Sequence, residues 1–267
     1  MGAFFCTFME NIVMKIALFQ SELVWENPAE NRKNIEHYFR NEQHSFDLFI
    51  LPEMFTSGFT MHPKVVAETM DGETIGWLKG LAAEKNCAIT GSIVIKENGN
   101  YFNRMIFVFP TGKVEFYDKR HLFTLAGEDK KYTKGKEKVI VNYKSWNICL
   151  QICYDLRFPV FTRNVEQYDL LLYVANWPKP RINAWNALLK ARAIENMCYT
   201  VGVNRIGTDA NHLEYPGHSQ VVDCMGNEQL NAHNGSGIFY CELDKSQQIA
   251  ARLQFNFLTD ADRFTLD

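Results

Sequence analysis

Residues 146–159 read WNICLQICYDLRFP. The apolar part of this stretch predicts a buried strand over 146–152, and a polar, charged turn begins directly after Cys153. A thiol at the tip of a strand can meet a substrate, whereas a thiol inside the strand would be lost in core packing. Cys153 is therefore the first candidate nucleophile in the chain.

Two earlier runs have the same form, a buried strand that ends in a charged residue. Residues 48–53 (LFILPE) end in the carboxylate of Glu53, and residues 114–119 (VEFYDK) end in the amine of Lys119. Three strand ends that offer a carboxylate, an amine and a thiol predict one site rather than three unrelated positions. Taken singly, each of these residues also fits a solvated or structural role.

The composition is that of an ordinary globular protein. The chain has 267 residues, 46% of them hydrophobic and 22% charged, which suffices for one large α/β domain or two small ones. No linker rich in proline, serine or glycine divides it, so we expect a single domain over residues 14–267. The formal net charge of -3 gives no electrostatic reason to expect nucleic acid or an anionic membrane as a partner.

The first 13 residues form a segment of their own. They are largely apolar but carry no basic region and no clear cleavage site, and they are too short to span a bilayer. Residues 14–20 then lead directly into a strand. We interpret residues 1–13 as an extension from an upstream start or as a loosely held arm, and no other segment resembles a membrane span.

The cysteines argue against a metal site. There are seven, an odd number scattered along the chain. Cys149 and Cys153 are spaced as CxxxC with no matching histidine or cysteine pair nearby, so we expect no metal. Scattered free thiols are typical of a reducing compartment, which predicts a cytoplasmic protein.

Short β-type runs alternate with helical stretches along the chain. Predicted strands cover residues 16–20, 46–51, 88–94, 103–110, 113–118, 146–152, 170–175, 198–204, 217–222 and 237–242. Predicted helices cover residues 28–43, 74–85, 159–166 and 183–196. This order favours a layered α/β sandwich. The longest loop, 122–137, starts just after Lys119 and could cover a site built around it.

The three strand-end residues suit hydrolysis of a carbon–nitrogen bond. At neutral pH, roughly a few per cent of a thiol with its ordinary pKa is present as thiolate. A nucleophilic thiol therefore needs a base or a positive charge nearby. Glu53 can take the proton, while Lys119 and the backbone N–H of Tyr154 can stabilise the oxyanion formed on attack at an amide carbonyl. Glu53 can then protonate the leaving ammonia and activate water against the thioester, and no cofactor is needed.

Three blocks resemble the signature blocks of the nitrilase (carbon–nitrogen hydrolase) superfamily: PEMF at 52–55, YDKRHLF at 117–123 and CYDLRFP at 153–159. They occur in the order and at the distances usual in that family. Further similar blocks are NWP at 176–178, ARAIEN at 191–196 and GHSQVVD at 217–223. The resemblance covers residues 14–260, nearly the whole chain.

The resemblance implies a four-layer α-β-β-α sandwich that often forms homodimers or larger homo-oligomers through its outer helices, here 159–166 and 183–196. It implies Glu53 as general base, Lys119 as oxyanion stabiliser and Cys153 as nucleophile, without cofactor or metal. Many members carry a second glutamate that contacts the lysine. Glu128 is the best candidate for it, with Glu137 as the fallback.

Within the superfamily, the residues around 54–61 and 119–123 look most like bacterial omega-amidases, which remove the terminal amide of 2-oxoglutaramate or 2-oxosuccinamate. Such a substrate keeps a carboxylate at its far end, which Arg157 can grip in bidentate fashion. The alternative for Arg157 is a structural salt bridge with Asp155 or Glu195. Candidate apolar walls of the pocket are Phe59, Met61, Phe123, Tyr154 and Trp177.

Other functions remain open. Another amidase, an N-carbamoyl hydrolase or a true nitrilase would keep Glu53, Lys119 and Cys153 and change only the pocket. A catalytically silent binding protein is a further alternative, against which the three intact residues argue. The sequence contains no glycine-rich phosphate-binding motif that would favour a nucleotide ligand.

Overall fold

The computed structural model describes residues 13–266. Its strands are, in chain order, β1 (Val13–Gln20), β2 (Leu48–Ile50), β3 (Ala88–Glu97), β4 (Asn100–Val108), β5 (Val114–Asp118), β6 (Ile140–Tyr143), β7 (Trp146–Ile152), β8 (Leu170–Ala175), β9 (Tyr199–Asn204), β10 (Ile206–Thr208), β11 (Glu214–Pro216), β12 (Gln220–Val222), β13 (Glu228–Asn231) and β14 (Gly237–Asp244). Its helices are α1 (Pro28–Asn41), α2 (Pro63–Val66), α3 (Glu73–Lys85), α4 (Pro159–Thr162), α5 (Ile182–Asn196) and α6 (Lys245–Phe255). Short 3₁₀ turns lie at Thr124–Ala126, Glu128–Lys130, Cys153–Arg157, Lys179–Arg181 and Phe257–Asp260.

The first sheet has the strand order β14-β1-β2-β3-β4-β5. β1, β2 and β3 run parallel to one another. β4 returns antiparallel to β3, and β5 is antiparallel to β4. β5 therefore points the same way as β2, so that the residues after these two strands emerge at one edge of the sheet.

The second sheet has the order β13-β12-β9-β8-β7-β6. Its centre is parallel, since β7 pairs with β8 and β8 with β9 in the same direction. These strands are buried at nearly every position, as expected where helices or another sheet cover both faces. The residues that follow β7, β8 and β9 again share one edge.

Side chains that alternate along the strands divide the protein into layers. Leu48 and Ile50 of β2 face the core between the two sheets, while Phe49 and Leu51 pack against α1 and α3. On β8, residues 170, 172 and 174 face the same central core, and residues 171, 173 and 175 pack against α5. The result is the four-layer α-β-β-α sandwich that the sequence predicts.

The ends of the helices follow local signals in the sequence. The side chain of Asn27 accepts a hydrogen bond from the backbone of Glu30 at 3.2 Å, and Pro28 occupies the first helical position of α1. α3 ends at Asn86, which adopts the left-handed conformation with φ of 50°. These signals set where α1 begins and where α3 ends.

Most predicted elements are confirmed within a few residues of their ends, but the helix predicted over 159–166 is wrong beyond Thr162. The chain leaves α4 because Asn164 bonds elsewhere: its backbone N–H donates to the side chain of Asn196, and its own side chain donates to the carbonyl of Tyr168. Helices α2 and α6 and several short or edge strands were not predicted. The predicted loop 122–137 contains two 3₁₀ turns, at Thr124–Ala126 and Glu128–Lys130.

The amino-terminal boundary needs one correction. Residues 1–12 of the predicted extension lie outside the described residues, but Val13 already belongs to β1 and pairs with Asp244 of β14. The single domain over 14–267 stays a prediction. Between residues 13 and 266, no helix is both long enough and apolar enough to cross a membrane.

Candidate active site

The site lies at the edge where the parallel strands of both sheets end. Glu53 follows β2 and Lys119 follows β5 in the first sheet, while Cys153 follows β7 in the second. The side chains of all three line one cavity. The structure thus brings together the three residues that the sequence places at strand ends.

Lys119 is a buried cation held between two carboxylates. Its Nζ donates to Glu53 Oε1 at 2.8 Å and to the Oε1 and Oε2 atoms of Glu128 at 3.1 and 3.0 Å. Burial alone would lower the pKa of the amine, but the charges of Glu128 and Glu53 outweigh it and raise the pKa above its usual value. The side chain is therefore an ammonium group, suited to stabilise negative charge.

Glu128 is fixed from the loop that follows β5. It is fully buried, and its Oε2 accepts a hydrogen bond from the backbone N–H of Phe123 at 2.6 Å. Burial raises the pKa of this carboxyl, and the positive charge of Lys119 opposes the rise. Glu137 is exposed and lines a surface groove outside the cavity. The geometry therefore favours Glu128 over Glu137 as the second glutamate.

Fixed donors hold both carboxylate oxygens of Glu53. Oε1 accepts a hydrogen bond from Asn103 Nδ2 and Oε2 one from the backbone N–H of Asn176, both at 2.8 Å. Asn103 is itself held by the hydroxyl of Ser92, which donates to its Oδ1 at 2.8 Å. The orientation of Glu53 is thus set by the protein before any substrate binds.

Neither asparagine was assigned to the site from the sequence. Asn103 lies within the predicted strand 103–110 and carries no signal that separates it from other strand residues. Asn176 follows β8 directly, so the strand-end rule that found Cys153 could have found it as well. It was noted only as part of the NWP block.

Cys153 opens a tight turn. Its φ of 44° lies in the left-handed region, which is uncommon for a residue with a side chain. The chain leaves β7 here and enters the 3₁₀ turn Cys153–Arg157, so that the half-buried thiol lines the cavity. Its Sγ lies 3.9 Å from the carbonyl oxygen of Asn176, a weak contact.

The thiol of Cys153 holds its proton at rest. Burial raises its pKa well above the usual value, the negative charge of Glu53 raises it further, and Lys119 offsets this only in part. A neutral thiol needs a base at the moment of attack. Glu53 is the carboxylate next to it.

The cavity has a volume of 340 Å³. All five residues predicted to bind substrate line it: Phe59, Phe123, Tyr154, Arg157 and Trp177. Other lining residues were not assigned from the sequence, and they include Trp25, His62, Arg181, Asp209, Asn211, Leu213 and Tyr215. Most of these lie on loops, where periodicity gives no signal.

Aromatic rings form one wall of the cavity. The ring of Phe123 lies 5.0 Å from that of Tyr154 and 6.5 Å from that of Phe59, measured between centroids. Lys119 Nζ lies 5.1 Å from the Phe59 ring. The wall therefore continues up to the buried ammonium group and can hold the apolar part of a substrate against it.

Two arginines line the cavity without a carboxylate partner among residues 13–266. The guanidinium of Arg157 lies 5.1 Å from the ring of Trp177, and that of Arg181 lies 5.1 Å from the ring of Phe123. Stacking on an aromatic ring orients a guanidinium and leaves its N–H donors free. These two cations are available to an anionic ligand.

The predicted alternative for Arg157, a salt bridge with Asp155 or Glu195, is not formed. Asp155 is buried and bonded to groups of its own turn and of the loop after β5. Glu195 pairs instead with Arg192 at 3.0 Å. Arg157 is exposed and lines the cavity.

A loop after β10 forms the rim of the cavity. Its Asp209 accepts hydrogen bonds from the hydroxyl of Tyr215 at 2.8 Å and from the backbone of Asn211 and Leu213 at 2.8 and 3.0 Å. The charge of this carboxylate is thus used to shape the rim. In the described part of the chain, no group of three or more His, Cys, Asp or Glu side chains could hold a metal ion.

A four-layer sandwich with a cysteine, a lysine and two glutamates at the common edge of its sheets defines a class of amide-cleaving hydrolases. The chain belongs to the carbon-nitrogen hydrolase family, whose sequence profile matches residues 15–252. It is an amidohydrolase, and the Glu-Lys-Cys set is a general feature of this family.

Relatives of known name match almost the full length. Omega-amidase YafV of Escherichia coli K12 is 42% identical over 258 residues, which cover 95% of this chain and 98% of the relative. The 2-oxoglutaramate amidase of Bacillus subtilis is 30% identical over 242 residues, covering 89% and 93%. A CN-hydrolase superfamily protein from Xanthomonas campestris, whose crystal structure holds an arsenic adduct in the active site, superimposes with a TM-score of 0.93 at 40% identity, covering 96% of this chain and 99% of that one.

Proposed function

We propose that this protein is an omega-amidase that hydrolyses the terminal amide of 2-oxoglutaramate or 2-oxosuccinamate. The observation that carries the proposal is a cavity that holds Glu53, Lys119 and Cys153 together with two arginines that have no carboxylate partner within residues 13–266. The names of two relatives, an omega-amidase and a 2-oxoglutaramate amidase, support the same substrate class.

The first half of the proposed reaction forms a thioester. Cys153 Sγ attacks the amide carbon while Glu53 takes the thiol proton, and the oxyanion is stabilised by Lys119 Nζ and the backbone N–H of Tyr154. The carbon–nitrogen bond breaks, Glu53 returns the proton to the leaving nitrogen, and ammonia departs. The raised pKa of Cys153 fits this order, because the proton leaves the sulfur only as the new bond forms.

The second half regenerates the enzyme. Glu53 takes a proton from water, which attacks the thioester carbon, and the same oxyanion donors act again. The carbon–sulfur bond breaks, the product leaves as a carboxylic acid, and Cys153 recovers its proton. The three donors to Glu53, namely Asn103 Nδ2, Lys119 Nζ and the backbone N–H of Asn176, support this double use, because they keep the carboxylate in place through both halves.

The substrate's far carboxylate is proposed to bind Arg157. Its guanidinium is free of protein carboxylates in the described chain and lies beside Trp177. Arg181 is a second cation in the same cavity, and a 2-oxo acid offers both a carboxylate and a carbonyl oxygen to such donors. The aromatic wall of Phe59, Phe123 and Tyr154 would contact the methylene groups between the two ends.

Two other substrate classes would use the same three residues. An N-carbamoyl amino acid also joins a carboxylate to a carbon–nitrogen bond, and a nitrile can be attacked by the same thiol. The cavity arginines favour an anionic substrate, which argues against a neutral nitrile. They do not separate a 2-oxo amide from an N-carbamoyl amino acid.

The test is ammonia release from 2-oxoglutaramate, with glutamine, asparagine and an N-carbamoyl amino acid alongside. We expect fast release from the 2-oxo amide and a loss of at least about 10³-fold in Cys153→Ala, because the covalent route is removed. Cys241→Ala is the matched control, since that half-buried thiol lies on β14 and does not line the cavity. Release that persists in Cys153→Ala would exclude the nucleophile, and Cys153-dependent release from another compound would reassign the substrate.

We further propose a cytoplasmic location and a homodimer or larger homo-oligomer, with neither nucleic acid nor membrane as a partner. Free cysteines support the reducing compartment, and the net charge of -3 supports the absence of polyanionic partners. The oligomer is supported by apolar side chains exposed around α4 and the carboxyl-terminal segment, among them Val160, Val165, Phe257, Phe264 and Leu266.

A further inference from the structure

Asp155 is a fully buried carboxylate that joins the two halves of the site. Its Oδ2 accepts hydrogen bonds from the backbone N–H of Ile152 at 3.0 Å and from the hydroxyl of Tyr117 at 2.8 Å. Its Oδ1 accepts from the backbone N–H of His121 at 3.0 Å and lies 2.7 Å from the Nδ1 of the same residue. One side chain therefore binds two segments that belong to different sheets.

The donors flank Lys119 and Cys153 in the chain. Tyr117 lies two residues before Lys119 and His121 two residues after it, while Ile152 directly precedes Cys153. Arg120, between Lys119 and His121, is held as well, because its backbone N–H donates to the Tyr117 hydroxyl at 3.1 Å. Asp155 thus holds the Tyr117 side chain before the lysine, the backbone of His121 after it, and the backbone immediately before the cysteine.

Each group that meets Asp155 is able to donate a hydrogen bond to it. Burial raises the pKa of Tyr117 and the charge of Asp155 raises it further, so the phenol keeps the proton that it donates. The ring of His121 is held by stacking on Phe158, with centroids 3.9 Å apart and planes 7° from parallel. Four groups therefore lie within hydrogen-bond distance of the two oxygens of Asp155.

We propose that Asp155 is a positioning residue that sets the distance and angle between the Cys153 thiol and the Lys119 ammonium group. It touches neither group, so it acts through the two backbone segments that carry them. The inference rests on the proposed function only in taking Cys153 as the nucleophile and Lys119 as its partner. It does not depend on which amide is the substrate.

Asparagine at this position keeps the size of the side chain but replaces one acceptor oxygen by an NH₂ group, which would face N–H or O–H donors. For Asp155→Asn we expect kcat to fall roughly 10- to 100-fold with KM nearly unchanged, because small misplacements of reacting groups cost rate rather than binding. We also expect iodoacetamide to alkylate Cys153 about 10-fold more slowly at pH 7. The rate is measured by mass spectrometry of the peptide that contains Cys153.

Asp169→Asn is the matched control. Asp169 is also a buried carboxylate and accepts from the backbone of Asn147 at 2.9 Å and from Lys245 at 2.6 Å, but it lies before β8, at the opposite end of the parallel strands. This variant should lose stability without a change in kcat per folded molecule or in the alkylation rate.

Tyr117→Phe is a milder second variant, because it removes only one of the donors to Asp155. It should give a smaller loss than Asp155→Asn in both kcat and the alkylation rate, and it keeps the test possible if Asp155→Asn does not fold.

Two results would overturn the inference. One is an unchanged alkylation rate and kcat in folded Asp155→Asn or, if that variant does not fold, in Tyr117→Phe. The other is a loss in these variants that the Asp169→Asn control reproduces per folded molecule. If the wild-type protein releases no ammonia from 2-oxoglutaramate, the proposed function fails while the alkylation arm still decides the role of Asp155.

Discussion

Cys153 stands in an electrostatic field that keeps it neutral until it reacts. Lys119 carries one positive charge. Its Nζ lies 2.8 to 3.1 Å from carboxylate oxygens of Glu53 and Glu128. Burial and the negative charge of Glu53 raise the pKa of the thiol well above its usual value. In the proposed mechanism, the negative charge that develops on the substrate oxygen would meet the ammonium group of Lys119, which is already in place.

The cavity arginines give a prediction about substrate choice. Arg157→Met and Arg181→Met should each raise KM for 2-oxoglutaramate by about 10-fold or more, since a charge-assisted hydrogen bond contributes roughly 1.5–3 kcal/mol. The kcat for a neutral amide of the same length should change little. The measurement is steady-state ammonia release from both amides. The control is Lys33→Met, since Lys33 is an exposed lysine on α1. Equal losses on the neutral and the anionic amide would contradict the role of these arginines in carboxylate binding.

The chemistry-bearing residues were predictable where the chain itself marks them. A strand that ends in a charged or nucleophilic side chain marks Glu53 and Cys153, and the structure brings both to one cavity. Asn103 is different, because its role depends on the neighbouring strands that place it beside Glu53. Arg181 was not assigned from the sequence for a similar reason. Only the fold shows that it contacts Phe123 and has no carboxylate partner within residues 13–266.

At the scale of elements, apolar periodicity found the buried strands and missed elements held by polar contacts. β8 is buried at every position, and its predicted bounds are correct. α6 buries Gln248 fully and little else, and it is anchored to Asp169 through ion pairs from Lys245 and Arg252. A helix attached in this way has no apolar stripe that would mark it in the sequence.

The packing of α5 on the second sheet depends on a residue without a side chain. A Cβ on Gly202 of β9 would lie 2.5 Å from Leu189 and 2.6 Å from Trp185, both on α5. Gly202→Ala should therefore lower the free energy of unfolding by about 1–3 kcal/mol, because the helix must shift off the sheet. The measurement is urea unfolding followed by circular dichroism.

Gly80→Ala is the matched control for that substitution. Gly80 lies inside α3, and a Cβ there meets nothing within 4 Å. Alanine should raise the free energy of unfolding by roughly 0.5–1 kcal/mol, since glycine is a poor helix former. If the two variants changed stability in the same direction, the close contact between β9 and α5 would not be the cause.

At the scale of the whole molecule, the core between the sheets is also what assembles the site. The first sheet supplies Glu53 and Lys119, and the second supplies Cys153. Side chains from both sheets share that core, including Leu48 of β2 and Ile152 of β7. The separation of the sheets therefore sets the separation of Cys153 from Glu53 and Lys119, and we propose that Asp155 adjusts the position of Cys153 relative to Lys119 at the edge.

The surface around α4 and the carboxyl-terminal segment carries apolar side chains that a monomer would leave in water. Val160 and Val165 are 51% and 57% exposed, and Phe257 is 54% exposed. Val165 and Phe264 line two neighbouring grooves together, which makes the surface continuous from the end of α4 to the carboxyl-terminal segment. Burial of such a surface against a second copy is the simplest way to remove it from water.

Val165→Arg tests that proposed interface. Analytical ultracentrifugation at micromolar concentration should give twice the chain mass of 30.9 kDa, or a higher multiple, for the wild-type protein and the mass of one chain for the variant. The reason is that a guanidinium without a partner is costly to bury between two apolar surfaces. Val65→Arg is the control, because Val65 is 67% exposed on α2, away from this face, and should leave the mass unchanged. A wild-type protein that sediments as a single chain would contradict the oligomer, and a Val165→Arg variant that keeps the wild-type mass would move the interface to another face.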